Sequence, residues 1–174
     1  MANPSSSDAF ALLGLPKAFD LDPKRIEEAF FAKTKELHPD RFATAPAAER
    51  VAALSRSRAL NDAYQVVKRP VSRAEALLAG AGVLIGDNER LEPAFLGRVL
   101  ELREELAEAK LAKDLTTIGS LKSAMGKRRQ QVLVELADKF KANELADVKS
   151  RLIALRYIDR YIEECDHALD QDDD

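Results

Sequence analysis

The chain has 174 residues, room for one ordinary domain or two small ones, and an apolar content of 46% that can supply a packed core. Its 27 Lys and Arg against 30 Asp and Glu leave a formal charge of -3, which excludes a global attraction to nucleic acid or to an acidic membrane. One cysteine, Cys165, excludes an intrachain disulfide, and with only two histidines there is no credible zinc site.

Residues 1–7 carry neither the apolar core of a secretory signal nor the Arg-rich amphipathic character of a mitochondrial presequence, so a cytoplasmic location in a reducing compartment is expected. No apolar run approaches the roughly 20 residues that cross a bilayer, and no membrane partner is expected. Long Ala/Leu/Glu/Lys/Arg segments, few β-branched runs and no strand-like alternation predict an all-α chain.

In chain order, Asp8 caps a short helix through Leu13 that Gly14 ends, and Asp22 caps a second, with Pro23 at its first position, running to Leu37. A third runs from Ala47 to about Lys68 and stops at Arg69-Pro70. A fourth, Val71 to Ala79, stops at Gly80 and Gly82, and Gly80 to Glu92 reads as a linker. Three longer helices follow, Pro93 to Leu111, Leu115 to Phe140 and Asn143 to Leu169, whose short polar turns predict up-down-up packing. Asp170 to Asp174 is too charged to pack and reads as a frayed tail.

Between the second and third helices stands His38-Pro39-Asp40. The proline fixes its own φ and biases His38 away from α geometry, which ends the preceding helix near Leu37 and turns both polar side chains outward. Taken alone, the tripeptide has two readings: a presented epitope, or a helix-end histidine meeting terminal carbonyls while Asp40 caps the turn. A hydrolase reading lacks a nucleophile motif and a phosphate-cradling glycine loop. Along the second helix Ile26, Ala29, Phe30 and Leu37 share the inner face, and Lys33 falls there too, so its ammonium must snorkel past the core edge or reach an acidic partner. Lys24, Phe31 and Lys35 form a stripe on the opposite side, and Arg41 follows the turn.

In the fifth helix Phe95, Val99, Leu102, Leu106 and Ala109 share one face and account for packing. Leu96 and Leu100 lie off it, beside the acidic line of Glu101, Glu104 and Glu108. Those leucines either touch another helix of the bundle or form a partner surface. In the last helix Val148, Leu155, Ile158, Ile162 and Leu169 define the core face, Tyr157 points away from it, and Cys165 near the stripe reads as a small buried filler rather than a redox or cluster ligand.

Phe10-Ala11-Leu12-Leu13-Gly14-Leu15, Ala29-Phe30, His38-Pro39-Asp40 and Asn61-Asp62-Ala63-Tyr64 together resemble the J-domain, and Pro70, Arg73-Ala74-Glu75, Leu77-Leu78 and the run from Leu100 to Leu106 continue the pattern of its HscB branch over nearly the whole chain. The resemblance implies an N-terminal J-domain over 8–79, a linker over 80–92 and a C-terminal three-helix bundle over 93–170, set in an L shape with the fourth helix helping to fix the two together. It implies a co-chaperone that brings the iron-sulfur scaffold IscU to an HscA/DnaK-type chaperone and stimulates that partner's ATPase, with no catalysis, cofactor or metal of its own and no nucleic-acid partner. Carried over by position, His38, Pro39 and Asp40, with Lys24, Lys35 and Arg41, would contact the chaperone. Leu96, Leu100, Glu101, Glu104, Glu108 and Tyr157 would contact the scaffold. Lys33 stands where the family usually has an apolar residue, Phe31 and Ala32 where J-domains often carry basic ones, and Gly97 where a bulkier apolar residue is common. A general J-domain adaptor for a different client is the alternative. The cysteine module that some relatives carry at the N-terminus is not expected, since no cysteine precedes Cys165.

Overall fold

The structure, a computed structural model, describes residues 9–42, 44–86, 89 and 93–170. The expected Asp8 cap, residues 1–7, most of the second half of the expected linker and the tail beyond Asp170 lie outside the described residues. Among the described residues there is no strand, and no helix is long and apolar enough to cross a membrane. The chain divides into two compact units that part between Leu84 and Ile85.

The N-terminal unit holds α1 (Ala9–Leu13), α2 (Pro23–Leu37), a 3-10 turn (Pro39–Phe42), α3 (Ala47–Lys68) and α4 (Pro70–Gly80). Gly14 takes φ 68° after α1, a conformation that L side chains resist, and lets the Leu15 N–H reach back to the Phe10 carbonyl at 2.9 Å. Asp22 accepts the Lys24 N–H at 2.9 Å, and Pro23 fills a first-turn position whose missing N–H costs nothing. The same logic moves the start of α4 from the expected Val71 to Pro70, with Arg69 in extended geometry as its N-cap, and α4 runs one residue further, to Gly80. α1 and α2 both pack on α3 around Phe10, Leu13, Ile26, Leu60, Ala63 and Val67. At the edge of that core Phe30 stacks on Tyr64, 4.1 Å between ring centroids and 14° from parallel.

Arg73 of α4 is a buried charged residue in this unit, 6% exposed. Its guanidinium donates to the carbonyls of Val67 and Phe19, each at 2.7 Å, and of Lys68 at 3.2 Å, and lies 5.7 Å from the centre of the Phe19 ring. Two of those carbonyls belong to the last turn of α3, where no intrahelical donor is left and the helix dipole favours a cation. Burial lowers the Arg73 pKa, an effect that the charge of Asp20 opposes.

The C-terminal unit is a bundle of α5 (Pro93–Leu111), α6 (Leu115–Lys141) and α7 (Leu145–Asp170). Lys113, at φ 52°, turns the chain between α5 and α6, and Asp114 caps α6 by accepting from the Thr117 N–H at 3.0 Å and the Thr117 hydroxyl at 2.6 Å. The last helix starts at Leu145 instead of the expected Asn143, because Asn143 sits at φ 56° and closes α6, with the Glu144 N–H bonded to the Lys139 carbonyl at 3.0 Å. α6 and α7 pair along their length, and α5 lies against both.

The buried stripe of α7 is Val148, Leu152, Leu155, Ile158, Tyr161 and Cys165, whereas the expected Ile162 and Leu169 are half-buried. Two neighbours rather than one cover this helix, so its buried face reaches round to Tyr161, whose hydroxyl donates to the Leu102 carbonyl at 2.9 Å. Burial pushes the Tyr161 phenol and the Cys165 thiol up. Arg129 with Asp159 at 2.7 Å, and Arg151 with Glu135, link α6 to α7 through side chains that are partly exposed and set register more than stability. Near the start of the unit Glu89 accepts from the Gly86 N–H at 3.0 Å and pairs with Lys149 of α7 at 2.7 Å, contacts that lower its pKa.

Arg73→Met leaves two buried carbonyls and one part-buried carbonyl without their donor and is expected to destabilise the N-terminal unit by about 3 kcal/mol. Arg73→Lys recovers only part of that, because one ammonium lacks the guanidinium fork. Hydrogen exchange of the α3 amides at Leu60 and Val67 measures both. The hydrogen bonds from Thr117 hold the Asp114 pKa below the usual aspartate value, so its cap contributes fully above about pH 4 and is lost as pH falls through the lowered folded value. The difference in melting temperature between the wild type and Asp114→Asn should therefore shrink below pH 4 and stay constant above pH 5.

Candidate functional site

Two surfaces, one in each unit, carry the residues that the sequence singles out. In the N-terminal unit α2 ends on Leu37 because His38, restricted by the following proline, adopts φ -60° and ψ 129°. Chain direction then reverses through the 3-10 turn Pro39–Phe42, closed by the Arg41 N–H bonding to the His38 carbonyl at 3.1 Å. The His38 and Asp40 side chains are 51% and 88% exposed. With a neutral imidazole, His38 Nδ1 accepts the Asp40 N–H at 3.3 Å; with a protonated one, the same nitrogen meets Asp40 Oδ2 at 3.4 Å. Either contact occupies Nδ1 within the turn and leaves Nε2 for an outside group.

The turn is held from two sides. Arg41 donates through its guanidinium to the Lys35 carbonyl at 3.2 Å, which satisfies part of the open end of α2 and ties this side chain to the scaffold as well as to the surface. From α3, Arg56 lays its guanidinium over the half-buried Phe42 ring, 5.8 Å from its centre, while its Nε donates to the Ala52 carbonyl at 3.3 Å. Sequence reasoning passed over Arg56, because contact across a helical hairpin leaves no mark in the spacing of one helix. Lys35 stands beside the turn, whereas Lys24, on the same face of α2, lies about 16 Å away along the axis. The structure therefore gathers His38, Asp40, Lys35 and Arg41, and leaves Lys24 at the far end of the stripe.

Between those lysines Phe31 is 59% exposed, tilted against Phe30 with 5.7 Å between ring centroids. Lys33 resolves its position on the inner face by reaching an acid of its own helix, Glu36 Oε2 at 2.9 Å.

In the C-terminal unit the packing face of α5 is only partly as expected. Leu102, Leu106 and Ala109 are buried, but Phe95 and Val99 are half-buried. Leu96 and Leu100 are 43% and 54% exposed and touch solvent beside Glu101, Glu104 and Glu108, all exposed. Glu101 is paired with Arg98 one turn back at 2.9 Å, so the acidic line is partly neutralised at its N-terminal end. A Cβ added at Gly97 would stand in open space, so nothing in the packing requires glycine there. Tyr157 lies off the buried stripe of α7, half-buried, its ring edge-on to Phe95 of α5 at 6.2 Å and 82°. That contact draws it to the end of α5 that carries Leu96. Among the described residues no group of three or more His, Cys, Asp or Glu is placed to hold a metal ion.

Residues 91–166 match the family model described as the HSCB C-terminal oligomerisation domain. The chain is 38% identical over 152 residues to a co-chaperone protein HscB homolog of Bordetella pertussis, spanning 84% of this chain and 88% of that protein. It is 35% identical over 152 residues to the homolog from Vibrio vulnificus, spanning 86% and 89%. Among solved structures, chaperone HscB from Vibrio cholerae superposes with a TM-score of 0.82 at 32% identity, covering 94% of this chain and 98% of that one. The human co-chaperone protein HscB, at 23% identity, shares the fold with a TM-score of 0.85 over 91% of this chain and 80% of its own.

Removing the Arg56 contact should loosen the turn without unfolding the unit. In Arg56→Ala the Arg41 amide is expected to exchange several-fold faster, while the α3 amides at Leu60 and Val67 keep their protection. Equal acceleration at all three would show that Arg56 acts on the unit as a whole.

Proposed function

The chain belongs to the HscB family of co-chaperones, and on that premise we propose that it serves iron-sulfur cluster assembly by binding the scaffold IscU and delivering it to an HscA/DnaK-type chaperone whose ATPase it stimulates. The observation that carries this reading is the His38-Pro39-Asp40 turn: a short proline-fixed reversal, braced by Arg41 and Arg56, that holds two polar side chains out from a packed hairpin. Such a turn suits recognition. His38 supplies Nε2, Asp40 a carboxylate, and Lys35 with Arg41 a positive flank that would meet an acidic chaperone surface. Hydrolysis itself belongs to the partner, and this chain shifts the partner's conformation by binding one state of it better than another.

Leu96 and Leu100 supply apolar contact area for the scaffold, Tyr157 an aromatic edge, and Glu101, Glu104 and Glu108 the complementary charge. Carrying both surfaces on one chain converts capture of the scaffold into a local concentration near the chaperone. The open space at Gly97 supports the second reading, an adaptor for a different client, since a client with a larger side chain at that point would fit the same face.

A purified HscA-type ATPase, assayed with this protein, with IscU and with both, tests the reading. Synergy is expected. His38→Gln should abolish most of the stimulation while scaffold binding stays within about twofold. Leu96→Ala/Leu100→Ala should weaken scaffold binding by at least tenfold, from about 1 kcal/mol or more per truncated contact, and leave basal stimulation intact. If IscU neither binds nor adds stimulation while His38→Gln still abolishes the basal effect, the client is a different protein. If His38→Gln retains full stimulation, the turn is not the chaperone contact.

A further inference from the structure

Beneath the N-terminal half of α5 the C-terminal unit keeps a cavity of about 310 Å³. Its wall is apolar: Phe95 and Val99 from α5, Met125 from α6, and Tyr157, Ile158 and Tyr161 from α7. The C-terminal half of α5 closes on the bundle through Leu102, Leu106 and Ala109, whereas Phe95 and Val99, on the same face, line the cavity and stay half-buried. The cavity opens to solvent at its rim, and the apolar side chains that face it keep surface that an apolar ligand would remove from water. An apolar wall holds water poorly. Met125, with three rotatable bonds, can follow the outline of whatever fills the space.

Chemistry at the mouth narrows the choice of occupant. Arg98, Arg103 and Arg128 border the cavity against a single carboxylate, Glu164. Each guanidinium already has a partner: Arg98 with Glu101 at 2.9 Å, Arg103 with Glu164 at 3.6 Å and Arg128 with Glu135 at 2.9 Å. The Arg98 and Arg103 pairs are largely solvent-exposed and contribute little, whereas the Arg128 pair is partly buried, so an incoming carboxylate can replace a partner at small cost at Arg98 and Arg103 and share Arg128 with Glu135. A cation would meet three guanidiniums of which two have their carboxylate partners, Glu101 and Glu135, outside the lining, and a neutral chain would leave the guanidiniums unused. The Tyr161 hydroxyl is committed to the Leu102 carbonyl and offers no competing polar anchor.

We propose that this cavity binds an amphipathic carboxylate, with an unbranched alkyl chain among Phe95, Val99, Met125 and Ile158 and its headgroup at the arginine rim. The site does not include Leu96 or Leu100, but it shares Tyr157 with the surface proposed for the scaffold, so its occupant and a client would meet at that residue.

Methyl resonances of Met125 and Ile158 report binding in the full chain, with hexanoate, octanoate and decanoate as probes and decanol and decyltrimethylammonium as controls. Decanoate is expected to shift both methyls saturably, with affinity rising about fourfold per added methylene along the series. Decanol and the cation should bind at least tenfold more weakly. Arg98→Gln/Arg128→Gln should weaken decanoate roughly tenfold and leave decanol unchanged. Val99→Phe and Met125→Phe fill the space from opposite walls and should each abolish the shifts. Circular dichroism identifies a variant that fails to fold, and the arginine pair, on the surface, keeps the test in that event. Absence of saturation up to millimolar decanoate, decanol binding as tightly as decanoate, or shifts that survive in both filled variants would overturn the proposal. So would a client protein that protects these methyls when decanoate does not, since the cavity would then belong to a protein interface.

Discussion

The guanidinium of Arg73 closes the base of the N-terminal unit, and the rest of that unit takes its register from there. It joins the last turn of α3, through the Val67 and Lys68 carbonyls, to Phe19 in the segment that leads into α2. With the base fixed, Ile26, Leu60, Ala63 and Val67 share one core, and Phe30 stacks on Tyr64 at its edge. At the tip, Arg56 of α3 reaches Phe42 of the 3-10 turn. Each step relies on the one before, because a shift of one residue at the base would rotate every later pair by about 100° around its helix. The exposed His38 and Asp40 are thus held by contacts that begin at the other end of the hairpin, at a buried charge far from the surface.

Helix starts and stops were legible because they are local chemistry. Asp22 with Pro23, Gly14 after α1 and the extended His38 before Pro39 each act within a few residues, and the all-α J-domain and three-helix fold followed from them and from the family's landmarks. The misplaced boundaries have equally local causes that were read too coarsely. Pro70 stops α3 and is also the first residue of α4, and Asn143, an expected start, is a stop through its positive φ. Lys33 found its acid three residues on, a spacing that the sequence does contain.

What could not be read depends on which helix lies over which. Tyr157 and Tyr161 are four residues apart, yet Tyr161 is buried with its hydroxyl on the Leu102 carbonyl of α5, and Tyr157 is an edge contact because Phe95 reaches it. Arg56 belongs to the same class, since its partner Phe42 lies across a turn. The cavity is harder still. A helical wheel assigns Phe95, Val99, Leu102 and Leu106 to a single packed face, and only the angle at which α5 lies on α6 and α7 divides that face into a closed half and an open one.

That division bears on how the exposed leucines can work. Leu96 and Leu100 stand on the half of α5 that rests over the cavity, so their backbone has fewer buried neighbours to hold it than the segment from Leu102 to Ala109. Gly97 lies in the same stretch, lowers its helix propensity and has no packing role. Local stability follows local burial, so this half of α5 is the part of the bundle that adjusts at least cost. A partner on this face would bear on that segment, and material filling the cavity would stiffen it beforehand. The cavity beneath α5 and the surface above it are therefore two sides of one helix, energetically coupled, with Tyr157 bordering both.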